Sequence, residues 1–211
     1  METALPNMYR DTIFWDVDTQ VDFVLPGGRL YAPGAESIVA RLRQLTEHAR
    51  QHQVLVIASM DAHQPDDAEF GQWPPHCVVG TPGQQKLPET RMGQSLVVPN
   101  VPAELPQELS RFAQIVLEKQ TVDVFTNPNV EALLRRLGKP EVTLYGVVTE
   151  VCVRIAAAGL LQRGHRVRIV TDAIWPFEKE AGDRSLAELK RMGAQLITVD
   201  ELLGENSRLI A

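Results

Sequence analysis

Cysteine is scarce in this chain: Cys77 and Cys152 are the two among 211 residues. Two thiols are too few for a disulfide framework, and they are expected to be free in a reducing compartment. Long apolar runs are missing as well. No stretch reaches the roughly 18 consecutive apolar residues of a membrane span, and Met1-Glu2-Thr3-Ala4-Leu5-Pro6 has no basic segment followed by an apolar one. These absences argue against a membrane partner and lead to the expectation of a cytoplasmic protein. Positive charge is neither abundant nor clustered: 21 Lys and Arg stand against 27 Asp and Glu, a net charge of −6. The electrostatic footprint that grips a phosphate backbone is lacking, which argues against nucleic acid as a partner. Repeats and low-complexity tracts are absent too. With 44% hydrophobic and 23% charged residues, the balance is that of a globular protein, expected as one domain over residues 1–211.

What is present is an alternation of elements. Ile13 to Asp18 reads as a first strand, Ala35 to His52 carries a helical apolar stripe, and Val54 to Ser59 reads as a second buried strand. A Pro- and Gly-rich connection from Met60 to Gly83 exceeds the usual loop length and points to a functional loop. Strand readings at 114–117, 142–148, 167–170 and 195–198 alternate with helical patterns at 129–137, 151–163 and 182–192. Near-continuous apolar strands alternating with helices predict a single-domain, three-layer α/β/α fold around a mainly parallel sheet. Ligands in such sheets bind beyond the carboxyl ends of the strands. Asp18, Asp61, Lys119 and Cys152 all fall at or just past predicted strand ends.

Cys152 lies where an apolar run gives way to a helical pattern, near a helix N-terminus that favours a thiolate. A lone cysteine is more often an inert packed residue, so its neighbours decide. Lys119 would lower the thiol pKa and Asp18 could accept its proton, giving base, cation and nucleophile at three strand ends. A second constellation is Asp61-Ala62-His63 with His76 following Trp73-Pro74-Pro75. Asp61 and His63, two apart in an extended chain, face the same way, and His76 can return on the loop to complete an Asp/His/His set with open positions. Such donors suit zinc, iron or manganese. Hydrogen bonding within a proline-rich loop is the competing explanation for both histidines. Glu69 between them is a candidate fourth ligand or a solvated carboxylate. Cys77 reads as a packed thiol.

Together these residues resemble the isochorismatase-like cysteine hydrolase family, and within it the nicotinamidase branch. Asp18-Thr19-Gln20-Val21-Asp22-Phe23 is similar to the family's first-strand motif, Glu118-Lys119 to its lysine-bearing strand, and Gly146 to Val153 to its nucleophile turn. The strings Ser59-Met60-Asp61-Ala62-His63 and Trp73 to Gly83 resemble the metal loop that nicotinamidases carry and many family members lack. The resemblance implies that Asp18, Lys119 and Cys152 are catalytic, that the N–H groups of Val148 and Cys152 form an oxyanion hole, and that a cis peptide joins Val147 to Val148. It implies that Phe23 and Trp73 flank an aromatic amide and that Asp61, His63 and His76 hold one divalent metal, zinc by preference. The implied activity is hydrolysis of nicotinamide or a related small aromatic carboxamide through a thioester, a reaction of NAD salvage. Self-association is implied as well, although no heptad pattern accompanies it.

This sequence departs from the nicotinamidase pattern in two places. Gln120 to Pro128 lacks the longer tyrosine-bearing segment common after the lysine, and Glu150 replaces a frequent aspartate. The first departure keeps open a related amidohydrolase acting on a carbamoyl or non-pyridine amide. A metal-water hydrolase with a bystander cysteine also fits the residues, as does a catalytically silent ligand-binding protein.

Overall fold

A computed structural model describes residues 12–209; Met1–Pro6 and the outermost ends of the expected domain lie outside them. Among the described residues, seven strands form one sheet: β1 (Thr12–Val17), β2 (Val56–Asp61), β3 (Ser95–Val98), β4 (Gln114–Lys119), β5 (Glu141–Val147), β6 (Val167–Trp175) and β7 (Gln195–Ile197). Their spatial order is 3-4-2-1-5-6-7, and every adjacent pair is parallel. The helices are α1 (Val21–Val24), α2 (Val39–Gln51), α3 (Val130–Leu137), α4 (Arg154–Gln162), α5 (Lys179–Arg191) and α6 (Val199–Leu209).

Strand alternation divides the apolar side chains between two cores. Ile13, Trp15 and Val17 of β1 enter a core shared with Leu133 of α3, Leu160 of α4 and Leu189 of α5. Phe14 enters the other, with Leu42 and Leu45 of α2 and Leu202 of α6. A sheet covered on both faces explains why its strands read as nearly unbroken apolar runs. The expected three-layer α/β/α architecture is therefore found. The chain winds away from β1 in one direction through β2 and in the other through β5, so the crevice between β1 and β5 is the switch point where such folds bind ligands.

Three elements escaped the sequence pattern, the single-turn α1 among them. β3 is a four-residue edge strand in which Ser95 and Val97 are exposed, too short for a clear period. α6 is announced by a capping box: Thr198 N–H donates to Glu201 Oε2 at 2.8 Å, and Glu201 N–H to Thr198 Oγ1 at 3.3 Å. Several boundaries shift: β2 runs to Asp61 rather than Ser59, β6 continues to Trp175, and α5 opens at Lys179 rather than 182. The pattern from Ala35 opens as a 3₁₀ turn before α2, and the residues around Cys152 form a wide π-type turn, Thr149–Val153, before α4 starts at Arg154.

Gly146, one residue before the end of β5, is required by its surroundings. It has φ +120°, and a Cβ there would strike the backbone carbonyl of Val17. Its absence lets β1 and β5 close together where their ends carry Asp18 and Cys152. The Val147–Val148 peptide that follows is cis, as the resemblance implies.

Candidate active site

Asp18 follows β1 in a left-handed conformation, φ 49°, which an aspartate tolerates better than most residues. This turns its carboxylate into the crevice, where Ser59 Oγ donates to Oδ1 at 2.6 Å and Lys119 Nζ lies 3.0 Å from Oδ2. Lys119 ends β4 in direct register with Asp61, the last residue of β2, so the two side chains emerge side by side and pair. Lys119 Nζ also reaches to 3.8 Å from Cys152 Sγ. Asp18, Lys119 and Cys152 thus converge as expected. Lys119 further joins this trio to Asp61, so what reads in sequence as two constellations is one connected site.

The metal loop is folded back by backbone pairing. His63 N–H donates to the Cys77 carbonyl at 3.2 Å and Val79 N–H to that of His63 at 2.9 Å, which sets His76 beside His63 with ring centroids 4.7 Å apart. Asp61 Oδ2 lies 3.7 Å from His63 Nε2 and 3.5 Å from His76 Nε2. The other nitrogen of each ring is occupied: His63 Nδ1 faces Asp67 Oδ2 at 3.1 Å, and His76 Nδ1 lies 2.8 Å from the Pro74 carbonyl. Outer partners of this kind fix which nitrogen is left for a metal. Ligand atoms of Asp61, His63 and His76 all lie within 4.8 Å of one another, and all three residues are buried. This carboxylate and two convergent imidazole nitrogens are a donor set that fits a divalent ion. Glu69 stands outside that triplet but lines the same pocket, with Oε2 buried and without a hydrogen-bond partner among the described residues.

Three supporting residues lie inside the motifs and carry no chemical signal of their own in the sequence. Gln20 Oε1 accepts from Asp61 N–H at 2.7 Å while its Nε2 donates to the Asp61 carbonyl at 2.9 Å. Asp22 accepts from Cys77 N–H at 2.7 Å and Arg29 N–H at 3.0 Å. Gly83 packs so closely on that carboxylate that a Cβ would collide with it. Asp67, four residues after His63, had a spacing signal but no motif. Cys77 is packed as expected; burial, with Asp61 and Asp22 nearby, pushes its thiol far up.

Burial dominates the electrostatics. It raises the carboxyl of Asp18, against the pull of Lys119. Burial also opposes ionisation of Asp61, but Lys119 and the two imidazoles hold that carboxyl well below the usual range. Lys119 would lose charge by desolvation, yet Asp18 and Asp61 restore it and keep the ammonium. For Cys152 burial wins again: the thiol is raised despite Lys119, and Asp18 and Asp61 push the same way. These surroundings work against the thiolate that a place near a helix terminus favours. Desolvation outweighs the nearby ammonium, so attack requires proton transfer to a base.

The pocket above Cys152 is lined by Phe23, Trp73, Val148, Asp61, His76 and Glu69 among others, and among the described residues no Lys or Arg belongs to its lining. Phe23, a member of the second core, meets the His76 ring at 5.2 Å. Trp73 stacks on Phe177, a residue with no sequence signal, at 6.0 Å and 26°. Val122 lines the pocket where the tyrosine-bearing segment is missing.

Known proteins are similar to this chain in sequence and fold. The chain is 30% identical to a nicotinamidase/pyrazinamidase of Mycobacterium tuberculosis over 86% of this chain and 95% of that protein. It is 25% identical to maleamate amidohydrolase of Pseudomonas putida, over 86% and 80%. The zinc complex of Pyrococcus horikoshii pyrazinamidase superposes with a TM-score of 0.73 at 26% identity, covering 89% of this chain and 99% of that one. The isochorismatase domain family matches residues 13–201. The chain belongs to the isochorismatase family and is a hydrolase of that family.

Proposed function

We propose that the protein is a metal-containing cysteine amidohydrolase that converts nicotinamide, or a closely related uncharged aromatic carboxamide, to the acid and ammonia. The observation that carries this reading is the pocket itself: a thiol at its base, aromatic walls, a metal-type triplet beside it and, among the described residues, no cation in its lining. Asp61, His63 and His76 would hold the metal, with zinc the first choice, and Glu69 is proposed as a fourth ligand. When bound, the ion supplies an electron-pair-accepting centre for a ring nitrogen or a water.

Cys152 Sγ attacks the amide carbon as its proton passes to Asp18. The Cys152 thiol needs this base because burial disfavours its free thiolate. The oxyanion rests on the N–H groups of Val148 and Cys152. Asp18 hands the proton to the leaving nitrogen, the C–N bond breaks and a thioester remains. Asp18 then takes a proton from water, whose oxygen attacks the thioester, and the thiol re-forms. Lys119 stays charged throughout and holds Asp18 and Asp61 in place.

Ammonia release from nicotinamide by the metal-loaded protein tests the assignment, together with a mass shift for the acyl group on Cys152. Absence of both rejects it. A second reading, an amidase for a carbamoyl or other non-pyridine amide, draws support from Val122 at the pocket wall. Maleamate, named for one relative, belongs in the panel that separates the two. Its carboxylate would have to sit in a pocket lined by Glu69 and, among the described residues, by no Lys or Arg, so nicotinamide is expected to be the better substrate.

A further inference from the structure

Phe177 follows β6 by two residues and lies outside every motif, yet it lines the pocket with Cys152 and stacks on Trp73. Its position is held from an unexpected direction. Glu150 Oε1 accepts from Phe177 N–H at 3.0 Å and from Glu178 N–H at 2.9 Å. Glu150 belongs to the same wide turn as Cys152, two residues before it. One carboxylate therefore ties the turn that carries the thiol to the segment that carries an aromatic wall. Through the Trp73 stack, that wall also abuts the metal loop.

A benzene ring at a pocket wall favours flat π-systems over chains, because offset stacking adds to the area it buries. Val122, half-buried on the pocket lining, offers no such face, and the tyrosine-bearing segment that would flank it is missing. We propose that Phe177 contacts the substrate and selects a planar ring over an acyclic amide, and that Glu150 is the positioning residue that places it. This rests on the amidohydrolase reading above. The double N–H contact uses a single oxygen, so a glutamine, which keeps one carbonyl oxygen, preserves the clasp, whereas alanine releases it.

The test compares nicotinamide with propionamide on the metal-loaded full chain. Phe177→Ala is expected to raise KM for nicotinamide about tenfold, with kcat and the propionamide KM each within about twofold. Phe177→Leu, which keeps bulk without the π face, should lie between. Glu150→Ala should reproduce the Phe177→Ala pattern and Glu150→Gln should restore it. A purely structural role would instead lower Tm and affect both amides alike. Equal KM changes for the two amides, or a fall in kcat alone, overturns the proposal. If neither amide is turned over, the amidohydrolase reading fails, and calorimetric titration of benzamide into Cys152→Ala decides this one. Binding weakened about tenfold by adding Phe177→Ala supports it, and unchanged binding refutes it.

Discussion

Two buried lysine–aspartate clusters flank the end of β1, and they differ in what surrounds the pair. On one side, Lys86 Nζ lies 2.7 Å from Asp16 Oδ2 and donates to Thr19 Oγ1 at 2.8 Å, with the Thr90 hydroxyl 2.8 Å from that of Thr19. On the other, Lys119 serves two carboxylates, Asp18 and Asp61, beside a thiol and two imidazoles. The first pairs one cation with one anion and adds hydroxyl contacts, with Asp16 Oδ1 buried and without a hydrogen-bond partner among the described residues. The second sets two carboxylates around one lysine beside a thiol and two imidazoles, and opens onto a pocket. Its outer edge, Asp61 with His63 and His76, is a donor set that fits a divalent ion.

The contrast can be broken by mutation. Cys152→Ala should reduce kcat for nicotinamide by about 10⁴-fold or more, because no other nucleophile replaces the thiol. Asp18→Asn should lower kcat about 10³-fold through loss of the base, whereas Asp16→Asn, two residues earlier, should leave kcat within about threefold. Comparable losses from both aspartates would erase the distinction between the clusters. Lys86→Met should cost about 3 kcal/mol of stability by stranding a buried carboxylate, with kcat nearly unchanged, as chemical denaturation alongside the amidase assay would show. Asp67→Ala should weaken zinc binding at least about tenfold in a competition titration by freeing His63 Nδ1, with little change in apo-protein stability. The smallest effect is Thr90→Val, about 1 kcal/mol, because it deletes a hydroxyl that meets Thr19 Oγ1 and donates to the Leu87 carbonyl at the edge of the cluster.

The same contrast shows what sequence could and could not reveal. The parallel sheet was legible because strands buried on both faces leave apolar runs, and Asp18, Lys119 and Cys152 were legible because such sheets place ligands at strand ends. The link from Lys119 to Asp61 was not, since it depends on the register between β2 and β4. The motif from Asp18 to Phe23 already singles out Asp18 over Asp16. The structure adds the physical reason: Asp18 turns left-handed past the strand end while Asp16 stays inside β1. β3 was too short and too exposed to show a period, and Phe177 joins the pocket through a hydrogen bond to Glu150 that no spacing announces.

Gln20 holds Asp61 solely through main-chain atoms, taking its N–H and giving to its carbonyl. Such a brace is blind to which side chain residue 61 carries. The backbone at 61 would therefore keep its place under a change of side chain. The side chain itself matters to Lys119, which without that carboxylate would keep Asp18 as its remaining ion-pair partner among the described residues.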